Sequence, residues 1–440
     1  MARSDSPTIN RDFERRSLWS ATMPDLPDRS GRRLPDSADV VVIGGGYAGL
    51  STARSLAQRG VAATLVEART LGFGASTRNG GIVHPGYKWG PRQLVKRYGK
   101  VVGPALFQDT LAGYETIKRV IAEEAIDCSF RETGYIELAH AAIHVRGLRQ
   151  ERDSLAEIGV ESRYVPPDHL RDEVGSDVYH GALVVPGGGL LHPGRYLAGL
   201  AAAADRAGAD LHEGVRATGV RRQGDRRFVV ETERGAIHAG DVVVATNGYT
   251  DGVAPNLRRR VIPIGSYIIA TEPLPEALAH ELSPNGRGFF DTKNFLYYWH
   301  VSEDRRLVFG GRASFLPSSV ERTAAILYRG MTRVYPQLAG TRIEYAWGGN
   351  VGFTFDRMPH AGRTDDGVTY ALGCCGTGVA LMTNLGTQIG AWLAGGDPPP
   401  LSALRFPLVP APYEGRPWFL PIVGEWYRFK DRRDTWFRDT

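Results

Sequence analysis

Short apolar runs that end in glycine alternate along this chain with amphipathic stretches of ten or more residues. The first run, Val40 to Ile43, consists of four β-prone residues and predicts a buried parallel strand. A helix over about Ala48 to Arg59 follows, Gly60 stops it, and Ala63 to Val66 predict a second strand. A glycine-rich stretch, Gly72 to Lys88, precedes a helical pattern that continues to about Ala125. Thr133 to Ala139 reads as a strand, Ala141 to Ile158 as a helix, and Gly187 to Gly214 as a loop, an alanine-rich helix and a short strand. Two strands are expected between Gly214 and Glu231, and a further buried parallel strand over Asp241 to Thr250.

From Pro263 the texture changes. SYIIATEPL, NFLYYWHV and RRLVFGGR alternate or are aromatic, as strands of an antiparallel sheet do. A helix over about Arg322 to Tyr335 precedes EYAWGGNVGFTFDRMPHAGR, which reads as a strand pair with a turn. Tyr370 to Gly396 reads as strand, glycine turn and helix. The expected fold is therefore α/β: a discontinuous Rossmann-like cofactor domain (37–84, 187–255 and 345–397) with an inserted substrate domain (85–186 and 256–344) built on a largely antiparallel sheet. Residues 1–36 are expected as an extended arm, with Trp19 a candidate anchor, and 398–440 as a tail packed on the body.

Composition narrows the class. The 440 residues are 42% hydrophobic and 23% charged, ordinary for a globular chain with a large core. No apolar run approaches a membrane span, and the polar start lacks a secretory h-region. A net charge of +5 with scattered arginines argues against a nucleic-acid footprint. Cys128, Cys374 and Cys375 form neither a metal spacing nor a disulfide framework, which fits a reducing cytoplasm. The Cys374–Cys375 pair reads either as redox-active or as small residues packed in a tight turn.

The chemistry begins at Asp39 to Glu67. In G-x-G-x-x-G, Gly44 allows the tight turn, Gly46 lets the backbone approach a pyrophosphate, and Gly49 lets the helix pack on the strand. Glu67, about 20 residues on, is placed to accept hydrogen bonds from an adenosine ribose. NAD and FAD share this motif. Gly72 to Gly81, with Arg78 and Asn79, suits a long cofactor, and Gly376-Thr377-Gly378 opening a helix at Val379 is a second positive helix end. Such an end stabilises negative charge at the pyrimidine side of a reduced flavin, so the dinucleotide is expected to be FAD.

On these motifs the chain resembles the FAD-dependent amine and amino-acid oxidoreductases of the D-amino-acid-oxidase superfamily. Within it the chain is most similar to the γ-glutamylputrescine oxidoreductase group, through SLWSATMP, GFGASTRNGG, YAWGGNVGFTFDRMPHAGR, GCCGTGV and a tail containing Trp426, Tyr427, Arg428 and Asp431. The resemblance implies that Gly44, Gly46 and Gly49 hold the pyrophosphate and Glu67 the ribose. It also implies that Ala75, Ser76, Arg78, Asn79 and Gly80 line the path to the flavin ring, and that Val215 frames the adenine. Gly376, Thr377, Gly378 and Val379 would face the pyrimidine. Thr377 stands where relatives often carry His, which preserves a backbone contact but not side-chain proton donation. Relatives with covalent flavin carry a Cys in the region around Trp347; none occurs here, so FAD is expected to be non-covalent.

Such enzymes move hydride from the carbon beside an amine to the flavin, and the imine hydrolyses. A small-molecule amine and O2 or another electron acceptor are the implied partners. Tyr267, Tyr297, Tyr298 and Trp299 read as an aromatic wall for an alkylamine or as sheet core. His84 reads as a flavin or substrate contact or as a packed histidine, and Arg312 as a carboxylate fork or a solvated residue. Lys293 reads as a cation promoting oxygen reactivity or as a solvated turn lysine. Trp347 is the aromatic expected nearest the flavin. The expected activity is oxidative deamination with O2 as acceptor, on a γ-glutamylputrescine-like amine. The alternatives are a dehydrogenase that reduces a quinone or carrier, touching a membrane through Trp418, Phe419 and Trp426, and a non-catalytic FAD-binding subunit.

Overall fold

The computed structural model describes residues 9–224, 227–312 and 318–436. The first eight residues of the expected arm and the last four of the tail lie outside the described residues. Two eight-stranded sheets carry the molecule. In the first, strand Ser37–Ile43 pairs in parallel with Ala63–Val66 on one side and with Gly235–Val244 on the other. Asp210–His212 and Thr369–Leu372 extend it in parallel, and His360–Arg363 closes one edge antiparallel. Its central residues Val41, Val42, Leu65, Val242 and Val243 are fully buried, as the near-continuous apolar runs demand of strands covered on both faces.

Two helices approach this sheet through glycine. A Cβ on Gly49, in helix Tyr47–Ala57, would collide with the Gly44 carbonyl oxygen. A Cβ on Gly386, in helix Gly378–Leu393, would collide with the Ala48 carbonyl oxygen. The absence of both carbons lets the helices lie against strand and neighbour, with their N-termini at one cavity.

The second sheet runs Ile343–Phe353, Ile262–Thr271, Leu307–Gly311, Tyr297–Val301, Gly288–Asp291, Tyr135–Leu138, Ala182–Val185, Arg163–Val165. All its neighbours are antiparallel except Tyr135–Leu138 with Gly288–Asp291. Helix Val320–Val334 covers a core of Phe289, Trp299, Phe309 and Tyr335.

Three local expectations change. Ile343–Phe353 and His360–Arg363 are not partners: the first pairs along its length with Ile262–Thr271, and the second joins the other sheet. The chain crosses between sheets where the Thr354 hydroxyl donates to the Met358 carbonyl, 2.7 Å. Secondly, the strand read over Asp241 to Thr250 ends at Val244, and its extra length lies upstream, where Gly235–Val244 also pairs antiparallel with Phe228–Thr232. Thirdly, the arm contains a short helix, Leu18–Thr22, capped by Ser17.

The tail divides. Leu401 joins the core around the first sheet and Phe406 stacks on His360, whereas helix Leu420–Trp436 reaches the loop at Asn294 and Phe295. Among the described residues no helix is long and apolar enough to cross a membrane.

Candidate functional site

A cavity of about 1010 Å³ runs from the first sheet to the second. One end is built by Gly44 to Ala48, at the first turn of helix Tyr47–Ala57, where backbone N–H groups lack helical acceptors. Gly44 takes φ +112, and a Cβ there would crowd the Ala245 carbonyl at 2.9 Å. Gly49 does not line the cavity; its role is the packing contact with Gly44, which corrects its placement among pyrophosphate ligands. The Glu67 carboxylate accepts from Gly45 N (2.8 Å) and Arg69 N (2.9 Å), which holds it at the cavity wall. Val215 lies beside it, donating its N–H to the Glu67 carbonyl at 2.8 Å.

The glycine-rich loop forms the middle of the wall through Ala75, Ser76, Arg78, Asn79 and Gly80. Ser76 Oγ accepts from Tyr47 N at 3.1 Å, and the Tyr47 hydroxyl donates to the Ser76 carbonyl at 2.7 Å. Two indoles clamp the loop from behind. Trp19 donates to the Asn79 carbonyl (2.7 Å) and Trp347 to the Arg78 carbonyl (3.2 Å). Trp347 is buried in a small core with Trp19 and does not line the cavity, so it supports the loop and is not a wall of the site.

Gly376, Thr377, Gly378 and Val379 all line the cavity at the N-terminus of helix Gly378–Leu393. Asn247, which the sequence reading missed, ties this turn down: its side chain accepts from Gly373 N at 2.9 Å and donates to Cys374 Sγ at 3.2 Å. Burial pushes the thiol of Cys374 up and that of Cys375 to about 12, so both are protonated and unreactive near neutral pH.

At the second sheet the aromatic strand splits by face. Tyr298 lines the cavity and shares a 2.8 Å hydrogen bond with Ser266. Tyr267, Tyr297 and Trp299 do not line it. Trp299 is fully buried and donates to the Tyr335 hydroxyl at 2.9 Å, and Tyr267 and Tyr297 pack against the same core. Tyr297 and Trp299 share a face as residues i and i+2 of one strand, and Tyr267 joins that face across the sheet, since both Tyr267 and Tyr297 pair with Gly311.

His84, Lys293 and Arg312 line the cavity. Lys293 pairs with Asp291 at 2.7 Å and lies 3.4 Å from the Tyr297 ring centroid, so its charge is already spent. Arg312 donates to the Asn294 carbonyl at 3.1 Å. His84 is held by a 2.8 Å contact of Nδ1 with the Pro85 carbonyl, and burial lowers its imidazolium to about 4.

Three further charged groups line this end that no local motif announced: Lys88, Glu137 and Glu151. Burial lowers the Lys88 ammonium to about 8. Burial, then the neighbouring Glu137, raises Glu151 to about 7, and burial raises Glu137 in turn. The available signal was a single acidic residue in the otherwise apolar strand Tyr135–Leu138.

The cavity fits a flavin dinucleotide. A glycine cradle that a Cβ would fill, two helix N-termini and an acid held beside that cradle by Gly45 N lie along one continuous wall. Its volume is at the top of the roughly 300–1,000 Å³ range of ligand pockets. The family model described as FAD dependent oxidoreductase matches residues 39–392.

The chain belongs to that family. Over 402 residues it is 33% identical to gamma-glutamylputrescine oxidoreductase of Escherichia coli, covering 90% of this chain and 93% of that one. It is 34% identical over 434 residues to a probable oxidoreductase, OrdL, of Rhizobium meliloti, covering 94% and 97%. The fold resembles glycine oxidase from Geobacillus kaustophilus with a TM-score of 0.70, at 22% identity and covering 84% and 99% of the two chains. The architecture of this member of the FAD-dependent oxidoreductases is thus α/β with a Rossmann-like cofactor sheet.

Proposed function

We propose that this protein is an amine oxidase that holds FAD non-covalently, oxidises the terminal amine of a γ-glutamylputrescine-like alkylamine and passes the electrons to O2. The observation that carries this reading is the far end of the cavity. There a neutral histidine, an aromatic wall and charges of both signs share one cavity with the two helix ends that suit a flavin. The relative from Escherichia coli supports the substrate class.

In this reading Gly44 and Gly46 cradle the pyrophosphate, Glu67 accepts from the ribose and Val215 frames the adenine. Ala75, Ser76, Arg78, Asn79 and Gly80 flank the ring. Gly376, Thr377, Gly378 and Val379 present backbone N–H groups and a helix dipole to its pyrimidine side. Bound FAD supplies the two-electron acceptor for hydride from the carbon beside the amine.

The chain's own groups prepare the amine. With Nδ1–H donated to the Pro85 carbonyl, Nε2 of His84 is the basic nitrogen, and it carries no proton near pH 7. It can accept a hydrogen bond from the amine N–H and so orient the neutral amine that gives up hydride. Tyr298, Tyr135 and Phe290 form an apolar wall that aligns the alkyl chain. Lys88 and Arg312 offer the cations that Lys293, neutralised by Asp291, does not.

The test is anaerobic mixing of the yellow holoenzyme with a panel of amines and N-methyl amino acids, followed by air. Bleaching by γ-glutamylputrescine and recovery in air are expected, and acid precipitation should leave the flavin in the supernatant. No bleaching by any amine overturns the reading. Bleaching that air does not reverse favours a second reading, a dehydrogenase serving a quinone or carrier. One surface supports that alternative: Trp418, Ile422, Trp426 and Phe429 are exposed along the tail, although Phe419 packs on Tyr413.

A further inference from the structure

Amine oxidation leaves two carboxylates in the cavity without a task. Glu137 projects from strand Tyr135–Leu138 on the face of Tyr135, and Glu151 from helix Val145–Ala156, where its carboxylate fills the space beside Gly90. Among the described residues neither makes an ion pair or hydrogen bond. Lys88 is the one opposite charge that acts on Glu137, and none acts on Glu151. Lys88 itself feels Glu137 on one hand and Arg312 on the other, and no ion pair within the described residues neutralises it. One chamber therefore holds unspent charge of both signs.

Unpaired charges in a partly desolvated cavity are costly unless a ligand pairs them. A bare diamine would satisfy the carboxylates and face Lys88 and Arg312 with like charge. A simple carboxylate would do the reverse. An α-amino-acid group, with ammonium and carboxylate on one carbon, satisfies both. The raised proton affinity of the two glutamates without ligand is what a cation there would relieve.

Resting on the amine-oxidation reading, we propose that this chamber is a subsite for the α-amino-acid head at the far end of the alkylamine. Glu137 and Glu151 hold its ammonium, and Lys88 and Arg312 hold its carboxylate. The subsite selects γ-glutamyl-type amines over unadorned alkylamines. It divides the work of the far end of the cavity: the charged groups choose the molecule by its head, while His84 and the aromatic wall serve its tail.

Three substrates that differ by one group test this on the holoenzyme. γ-Glutamylputrescine carries both head charges, N-glutarylputrescine lacks only the α-amino group, and N-(4-aminobutanoyl)putrescine lacks only the α-carboxylate. The wild type should prefer the first by about tenfold or more in kcat/KM over either analogue, the size expected for a charge-assisted hydrogen bond. Glu151→Gln and Glu137→Gln should collapse the preference over the glutaryl analogue. Lys88→Met should collapse the preference over the aminobutanoyl analogue.

A binding readout stands apart from turnover. Calorimetry with γ-glutamyl-n-butylamide, which has the head but lacks the terminal amine, should show at least tenfold weaker binding to Glu151→Gln. Flavin bleaching with equal kcat/KM for all three substrates overturns the subsite and leaves amine oxidation standing. No bleaching by any of them overturns amine oxidation, and the calorimetry then decides the subsite: no binding to the wild type, or equal binding to the variant, overturns it.

Discussion

The indole Nε1–H of Trp19 donates to the carbonyl oxygen of Asn79 across 2.7 Å, fastening the N-terminal arm to the loop that walls the cavity. Asn79 in turn donates from its amide to the Ser76 carbonyl (2.9 Å) and accepts from Gly81 N (2.8 Å), so a pull on Trp19 is felt along the loop. Trp19 is 2% exposed and stands edge-on to Trp347 at 6.3 Å. Trp19→Phe should keep most of this packing and cost about 1 kcal/mol for the lost hydrogen bond. Trp19→Ala should cost about 3–5 kcal/mol. Thermal unfolding and the flavin-to-protein ratio measure both effects. An unchanged flavin ratio in Trp19→Ala would show that the arm and the loop are not coupled.

Gly49→Ala should be more damaging than its size suggests. The added carbon meets the backbone oxygen of Gly44, which cannot swing aside as a side chain could. Either the helix shifts away from the strand or the Gly44 turn deforms, and both displace the amides at the cavity. The expected product is a protein without yellow colour and several degrees less stable. Gly147→Ala, on a helix and with open cavity space at the new carbon beside Glu151 rather than at the Gly44 turn, is the control for the dinucleotide end. It should gain about 0.5–1 kcal/mol from helix propensity. A fully loaded, stable Gly49→Ala would refute the packing account.

How much of this was legible in the chain depends on range. Strand, turn and helix around Gly44 to Val66 could be read almost to the residue because the period, the glycines and the acid all act within about 30 residues. The fate of Ile343–Phe353 could not. Its sequence is strand-like and a turn follows, but whether the next strand folds back on it depends on Ile262–Thr271, some 80 residues away. Alternation in Tyr297–Val301 was visible, yet its phase was not, since both faces of that strand are covered. Tyr298 faces the cavity and Trp299 the core. Lys88, Glu137 and Glu151 come from three separate elements and share no local pattern, so only the fold assembles them.

Glu151 makes a pH-dependent prediction. Its proton is bound more tightly in the fold, with a pKa of about 7, than at its ordinary value of 4.5. Stability from this group is complete below about pH 4.5 and is lost as pH rises through 7, where the fold must carry a buried charge. Glu151→Gln should therefore be more stable than the wild type at pH 8, by up to about 3 kcal/mol. The advantage should shrink on acidification and vanish near pH 4.5. Urea unfolding of both proteins from pH 4.5 to 8.5 follows the difference, and a constant gap across that range would contradict the assignment.

The tail helix offers a last expectation, because Asp431 caps the loop that carries Lys293. Its carboxylate accepts from the backbone N–H groups of Asn294 (2.9 Å) and Phe295 (3.0 Å) and from the Asn294 amide (2.7 Å). One turn on, Asp434 lies 3.4 Å from His144, whose other nitrogen contacts the Thr292 hydroxyl at 2.6 Å. Residues 292, 293 and 296 line the cavity, and the Asn294 carbonyl receives Arg312, so the helix holds both the wall and a proposed head-group ligand. Asp431→Ala removes three charge-assisted contacts at a half-buried position, each worth more than a neutral hydrogen bond. Limited proteolysis should then cut the exposed stretch before the helix faster than in the wild type. KM for the amine should rise several-fold while the flavin spectrum and the main unfolding transition stay put, since the dinucleotide end and the two cores are untouched. A rise in flavin loss equal to the rise in KM would instead tie the tail to the cofactor end.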